Sequence, residues 1–220
     1  PTGATTWYQG DTNHNIEWTA FGQIANVKIE FWDGTDWDEL VTNSTASGQG
    51  SGKLFSVDDW DTDSAVPDYK ITNAKIRITD VLDSTVSVES AEFTVIPRIT
   101  NVTVTNTPGD EGADPKIWRA TSTNQTVSWD DVSTKLTAVD IMYSLTGTGG
   151  LPGTLLTGGN AIASNVNGTN STATLTVPAT LSQAAVVQVR DDNAAFATTV
   201  LGNSPLFNIY GGITYNAPLS

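Results

Sequence analysis

The densest cluster of potential ligand residues is an acidic run in the first third of the chain. Asp59, Asp61 and Asp63 occupy alternate positions, and carboxylates at this spacing open many calcium-binding loops. Ser64 and Lys70 stand where a loop of the EF-hand type needs a glycine and a bidentate glutamate. The run is therefore not an EF-hand, and it predicts either a looser calcium site or a solvated acidic loop.

Residues that could carry out catalysis are sparse. His14 is the one histidine, and the chain has no cysteine, so a thiol nucleophile, a disulfide or a cysteine-ligated metal cannot form. No nucleophile in an elbow motif accompanies His14, and nothing marks two carboxylates as the acid and base of a glycosidase. No glycine-rich phosphate loop lies between a strand and a helix. We expect a protein that is not an enzyme and uses no cofactor, with calcium at the acidic run left open.

Three tryptophans, Trp32, Trp37 and Trp60, have no counterparts in the second half of the chain. Alternation along the segment that ends at Trp32 turns Val27 and Phe31 inward, which places Trp32 on the outer face. An outward tryptophan is costly in water unless something covers it. These residues therefore predict either a protein or domain contact or a platform that stacks on sugar rings.

Five asparagines are followed two positions later by serine or threonine, the acceptor pattern for N-glycosylation. They are Asn43, Asn101, Asn124, Asn167 and Asn170. A chain rich in Asn, Ser and Thr also produces such triplets by chance. These positions are therefore glycosylation candidates and nothing more.

An internal repeat organises the chain. Trp7 and Trp18 recur as Trp118 and Trp129, each pair separated by 111 residues. Two further segments repeat, 74–80 with 185–191 and 90–95 with 204–209. Two copies of one domain explain this register most simply. Because the four tryptophans recur in register, we expect them to pack in two equivalent cores.

Strand signals dominate both copies. Segments such as 27–31 alternate polar and apolar residues, which buries one face of a strand. Turns rich in Gly, Asn and Asp separate them, a pattern typical of an antiparallel sandwich. We place domain one at 1–97 and domain two at 98–212, followed by a C-terminal segment at 213–220. The Gly- and Thr-rich stretch 144–160 is predicted to be a surface loop.

The two ends of the repeat are not equivalent. Domain two opens with strand-like residues 99–104, and domain one has no such opening strand in this sequence. Its absence predicts an open sheet edge and an apolar slot in domain one. Ile213-Thr214 stands 114 residues after Ile99-Thr100. The assembly candidates are Ile213, Thr214, Tyr215, Asn216 and Ala217. They begin the next repeat of a longer array or complete domain one of another copy by strand addition.

The composition of the chain limits which binding partners are expected. The 220 residues carry a net charge of −14, with a pI near 4.1, which disfavours nucleic acid because phosphates select for Lys and Arg. No apolar run approaches the roughly 18 residues that span a bilayer, so we expect no membrane span. Pro1 is not a usual translation start, and a processed chain or a fragment is expected.

Parts of the sequence resemble a known repeat. Trp7, the Ile-Glu-Trp-Thr stretch 16–19, the Asp-Gly-Thr-Asp-Trp hairpin 33–37 and the closing stretch 90–95 carry the resemblance. They are similar to tandem immunoglobulin-like repeats of prokaryotic surface and secreted proteins. Those repeats are related to the Ser/Thr-rich, GPI-anchored fungal cell-wall family of β-glucan assembly. The hairpin has no counterpart after Tyr143.

The resemblance implies an all-β fold of two tandem immunoglobulin-like antiparallel β-sandwich domains at the cell surface or outside the cell. We expect an extracellular structural protein, a subunit or repeat unit of a self-assembling filament or surface layer. Its partner would be another copy, joined head to tail through the C-terminal segment, or a neighbouring repeat. The alternative is a carbohydrate-binding or adhesive module, or a spacer of a larger secreted protein, with cell-surface polysaccharide as partner.

Overall fold

The chain folds as β-sheet, as the alternating sequence predicts. A computed structural model describes residues 5–9, 14–16, 18–22, 24–45, 54–55, 69–112, 115–131, 133, 135–161 and 171–213. Contacts divide the chain into two compact units, 1–97 and 98–220. Each unit has its own sheets and its own core.

The strands of the two units follow one another in the same pattern. In unit 1 they are β1 (Thr6–Tyr8), β2 (His14–Asn15), β3 (Asn26–Trp32), β4 (Trp37–Thr45), β5 (Leu54–Phe55), β6 (Ile71–Asp80), β7 (Ser87–Glu89) and β8 (Phe93–Ile96). In unit 2 they are β9 (Ile99–Val104), β10 (Ile117–Arg119), β11 (Gln125–Asp131), β12 (Ala138–Ser144), β13 (Thr154–Ala161), β14 (Ser171–Leu175), β15 (Ser182–Asp191), β16 (Leu201–Asn203) and β17 (Phe207–Tyr210). A short 3-10 turn, Thr148–Gly150, precedes β13.

The large sheets of the two units have the same topology. The order is β1-β8-β6-β3-β4 in unit 1 and β10-β17-β15-β12-β13 in unit 2. In both, one more short strand, β7 or β16, pairs with the central long strand. Strands β1 to β8 therefore correspond one by one to β10 to β17, so the repeat in the sequence is a repeat of topology.

One pair in each large sheet departs from the predicted antiparallel arrangement. β1 runs parallel to β8, with Trp7 opposite Val95, and β10 runs parallel to β17, with Trp118 opposite Ile209. The prediction of antiparallel sandwiches is wrong for this pair, because the first strand lies along the free edge of the last one before the chain leaves this sheet. The remaining pairs are antiparallel.

The parallel pairs anchor equivalent aromatic cores. The Trp7 and Phe93 rings lie 4.5 Å apart at 54°, and the Trp118 and Phe207 rings lie 4.7 Å apart at 63°. Tilted aromatic pairs of this kind add packing energy beyond their buried area. Trp7, Trp118 and also Trp129 are buried, as the repeat predicts.

The second layer differs between the units. In unit 2 it has the order β14-β11-β9, and in unit 1 the described strands β2 and β5 form a pair. β9 lies antiparallel to β11, with Val104 opposite Val127 and Thr103 opposite Ser128. Within the described part of unit 1, no strand takes the place of β9. This is the main structural difference between the two copies.

The predicted loop 144–160 is only partly a loop. Residues Thr154–Ala161 form β13, which pairs with β12 through Met142 opposite Leu155 and Val139 opposite Asn160. The local sequence Thr-Leu-Leu-Thr-Gly-Gly-Asn-Ala lacks polar–apolar alternation. Its strand conformation comes from pairing with a buried neighbour, which overrides weak local propensity.

Candidate strand-acceptor groove

The edge of β2 is the place where the described part of unit 1 has no counterpart of β9. Ile16 and residues 18–20 are not in a strand, whereas the equivalent Val127 and residues 129–131 belong to β11. In unit 2 this part of β11 pairs with β9. Among the described residues, no strand takes the place beside this stretch that β9 takes beside β11, and β2 has two residues where β11 has seven.

A groove lies beside this edge, between the β2 segment and strands β6 and β7. One part, of about 230 Å³, is lined mainly by apolar side chains, and an adjoining part measures about 350 Å³. Four residues line both parts: Trp18, Thr19, Ile78 and Val88. We call the combined feature the acceptor groove, with Ile16 and Ile76 completing its wall.

Apolar side chains around the acceptor groove are unusually exposed. Phe21 is 85% exposed and Val88 is 60% exposed, and both line the groove. Trp18 is only partly buried, while its counterpart Trp129 is 2% exposed. A contiguous apolar surface of this kind marks an interaction site in many soluble proteins.

In unit 2 the same region is filled by β9. Ile99, Val102 and Val104 are all buried, Ile99 to 3% exposure. They lie over β16 and β15, the counterparts of β7 and β6. The acceptor groove of unit 1 therefore has the place, the neighbours and the apolar lining of an occupied strand site in unit 2.

The start of the C-terminal segment is equivalent to the start of β9. Two residues separate β8 from Ile99, and two residues, Gly211-Gly212, separate β17 from Ile213. Ile213 is fully exposed, at 102%. Of the assembly candidates, Thr214, Tyr215, Asn216 and Ala217 lie outside the described residues. An isoleucine is thus exposed at the position whose counterpart is buried.

The predicted aromatic contact at Trp32 and Trp37 is a cross-strand pair. The residues face each other at the ends of β3 and β4, with ring centroids 5.5 Å apart and planes tilted by 51°. The Arg77 guanidinium lies 4.1 Å from the Trp37 ring centroid, a cation–π distance. Trp60 lies outside the described residues. The two described rings are not coplanar, and Arg77 already covers one of them.

Arg77 also links this pair to a buried carboxylate. Glu30 is buried although its strand position faces outward, because Arg77 Nε donates to it at 2.8 Å and Lys28 Nζ lies 2.7 Å away. Burial raises the pKa of Glu30, but the bonds and charges of Arg77 and Lys28 outweigh it and lower the pKa overall. The ionised Glu30 carboxylate therefore links β3 to β6 through its bond with Arg77.

We expect Glu30→Gln to destabilise unit 1 by about 1–2 kcal/mol at pH 7, since two charge-assisted hydrogen bonds are weakened. A lowered folded pKa stabilises the fold above the unfolded value, near 4.3, and this contribution is lost as pH falls through the folded pKa. Urea unfolding at pH 7 and pH 3 should therefore give a difference that shrinks in acid. Glu92→Gln is the control, because Glu92 is exposed and 3.8 Å from Lys75. A difference that stays constant with pH would contradict the assignment.

The other predicted site residues are dispersed. Asn101 and Asn124 are exposed and have positive φ, 50° and 60°, and the Asn101 amide donates to Asp130 at 2.6 Å. Asn43 lies in β4. The remaining glycosylation and calcium candidates lie outside the described residues, namely Asn167, Asn170, Asp59, Asp61 and Asp63. Among the residues that the structure describes, no group of three or more His, Cys, Asp or Glu side chains could hold a metal ion.

Sequence reasoning missed part of the groove lining. Phe21 precedes a bend at Gly22, and Val86 follows a turn at 84–85. In such places no periodicity marks the two residues as members of one surface. Exposure of several large apolar residues from different loops is visible only in three dimensions.

No family model matches the chain, and no curated protein is significantly similar to it. None of the described residues belongs to a helix long and apolar enough to cross a membrane.

Proposed function

We propose that the chain is an extracellular structural protein that assembles head to tail into a filament or surface layer. Each unit is proposed to be an immunoglobulin-like β-sandwich. The C-terminal segment 213–217 of one copy would add as a strand to the β2 edge of unit 1 in the next copy. The observation that carries this proposal is the acceptor groove, which occupies in unit 1 the place that β9 fills in unit 2.

Strand addition satisfies two needs at this edge. It pairs the backbone groups of residues 18–20, which lie outside any strand, and main-chain pairing supplies affinity in this type of binding. It also covers Val88, Phe21 and Trp18, which are exposed or partly buried. Covering apolar area stabilises an interface by about 25 cal/mol per Å² before the entropy of association is subtracted.

The charge distribution is compatible with contact between copies. The chain carries a net charge of −14, so two copies repel each other at low salt. Residues 211–220 contain no charged side chain. A neutral segment can enter the groove of another acidic copy without placing like charges in contact. Salt should therefore favour assembly, because it screens the long-range repulsion.

The geometry of such a contact leads to a polymer. The donor segment follows unit 2 and the acceptor groove belongs to unit 1, so the contact joins unlike parts of two copies and is heterologous. Heterologous contacts that do not close into a ring propagate as fibres. A covalent array would use the same joint, with a neighbouring repeat as donor. Polysaccharide binding is less well supported, because Trp32 and Trp37 are tilted by 51° and Arg77 lies against Trp37.

The test compares the full chain with a variant that stops after Gly212. All described strands lie before Gly211, so the variant keeps both units. Electron microscopy and light scattering should show polymers of the full chain and monomers of the variant. A synthetic peptide of residues 211–220 added in excess should block polymerisation of the full chain. Polymers of the shortened variant, or monomers of both chains, would refute head-to-tail assembly through this segment.

A further inference from the structure

One residue of the acceptor groove differs sharply from its counterpart in unit 2. Val88 of β7 lies opposite Ile78, and Gly202 of β16 lies opposite Val189. Ile78 and Val189 are equivalent in the repeat, so Val88 and Gly202 occupy the same place. It is the place over which β9 passes in unit 2.

Gly202 is required there by the close approach of β9. A Cβ atom at Gly202 would lie 2.8 Å from the Ile99 carbonyl oxygen and 2.8 Å from Val102 Cγ2. It would also lie 3.0 Å from Ile99 Cγ2. These distances are shorter than van der Waals contact between carbon atoms. No side chain therefore fits beneath β9 in its present path.

Val88 places a full side chain in this position in unit 1. A donor strand that copied the path of β9 would collide with it at the backbone carbonyl and side chain in the place of Ile99, and at a valine in the place of Val102. We infer that Val88 holds the donor strand farther from β7 than β9 lies from β16, and that it determines which strand the acceptor groove admits. It accepts a strand whose residue opposite it is unbranched at Cβ, and it rejects a strand of the β9 type. This inference rests on the proposed function.

The C-terminal segment meets this requirement at the place of Val102. At the place of Ile99 it carries Ile213, so its backbone must lie farther from β7 than β9 lies from β16. β9 has Val102, Thr103 and Val104 in succession, all branched at Cβ, whereas residues 215–219 are Tyr-Asn-Ala-Pro-Leu, of which none is. A branched residue carries two γ atoms and has few rotamers, so one of them points at the neighbouring strand. An unbranched residue can turn its single γ atom away, and alanine has none. The offset of 114 places Asn216 opposite Val88, and a shift by one residue places Ala217 there.

The test measures binding of three fluorescent synthetic peptides to the chain that stops after Gly212. They are residues 211–220 unchanged, with Asn216→Val and with Ala217→Val. Fluorescence anisotropy should show that the unchanged peptide binds and that one valine peptide binds about tenfold more weakly, the scale of one overpacked contact. The Val88→Gly chain should bind that valine peptide and the unchanged peptide with similar affinity.

The outcomes separate this inference from the proposed function. If the unchanged peptide does not bind, the head-to-tail contact itself is wrong. If all three peptides bind the Val88 chain equally, the contact stands and the role of Val88 is refuted. A loss that persists in the Val88→Gly chain also refutes it, because the collision then lies elsewhere. Thermal unfolding of Val88→Gly checks that the groove still folds.

Discussion

Substitution of Gly202 by valine is expected to destabilise unit 2 by about 3 kcal/mol, at the upper end of the usual range for overpacking. The Cβ alone would lie 2.8 Å from the Ile99 carbonyl oxygen, which is backbone and cannot rotate away. Relief requires β9 to move off β16, which exposes Ile99, Val102 and Val104. The substitution should therefore open the site that β9 fills in unit 2, so that it resembles the acceptor groove of unit 1.

The measurement is urea unfolding combined with hydrogen–deuterium exchange of peptides from each unit. We expect faster exchange throughout β9 and β11 in Gly202→Val and no change in β3 or β6, because the two units have separate cores. Gly202→Ala should give an intermediate effect, since it adds the colliding Cβ and nothing beyond it. Val88→Gly is the matched change in unit 1.

Val88→Gly should cost unit 1 only about 1 kcal/mol, the usual price of glycine in a strand. Val88 is 60% exposed, so its removal leaves no sealed cavity. Equal stability of the Gly202→Val and unsubstituted chains would mean that β9 is not held against β16 in solution. The acceptor groove could then no longer be interpreted as the open counterpart of the β9 site.

The alternation of polar and apolar residues correctly predicted strands that have one buried face. Val27, Ile29 and Phe31 are buried in β3 as alternation requires. The offset of 111 residues correctly identified β6 and β15 as equivalent strands, because Ala74 and Ala185 each lie opposite a core phenylalanine. Such positions repeat because the same side chains must fill the same core.

Local sequence failed where structure depends on a distant partner. β13 forms on the edge of β12, although its glycines gave no strand signal. The lining of the acceptor groove comes from three separate stretches that include Phe21, Ile78 and Val88. The repeat register predicted an open edge in domain one, but spacing along the chain could not show that Val88 takes the place of Gly202, the glycine that lies beneath β9 in unit 2.

Engineered cysteines should trap the head-to-tail contact as a covalent ladder. The chain has no cysteine, so Thr19→Cys and Thr214→Cys introduce the only thiols. Thr19 and Thr214 correspond, by offsets of 111 and 114, to Asp130 and Thr100, which lie opposite each other. Cross-strand Cβ atoms are about 4.5–5.5 Å apart, and a disulfide needs about 3.5–4.5 Å, so a small adjustment joins them.

Oxidised filaments of the double variant should run on a non-reducing gel as dimers, trimers and higher species, whereas either single variant can give at most dimers. The control moves the donor thiol by one residue, to Tyr215→Cys, which the alternation of a strand turns to the opposite face. A ladder from Thr214→Cys but not from Tyr215→Cys would establish both the joint and its register. The reverse pattern would keep the joint and shift the register by one residue, which places Ala217 rather than Asn216 opposite Val88. Filaments that yield no ladder with either donor position would exclude pairing of this segment with residues 18–20, and the acceptor groove would need another occupant.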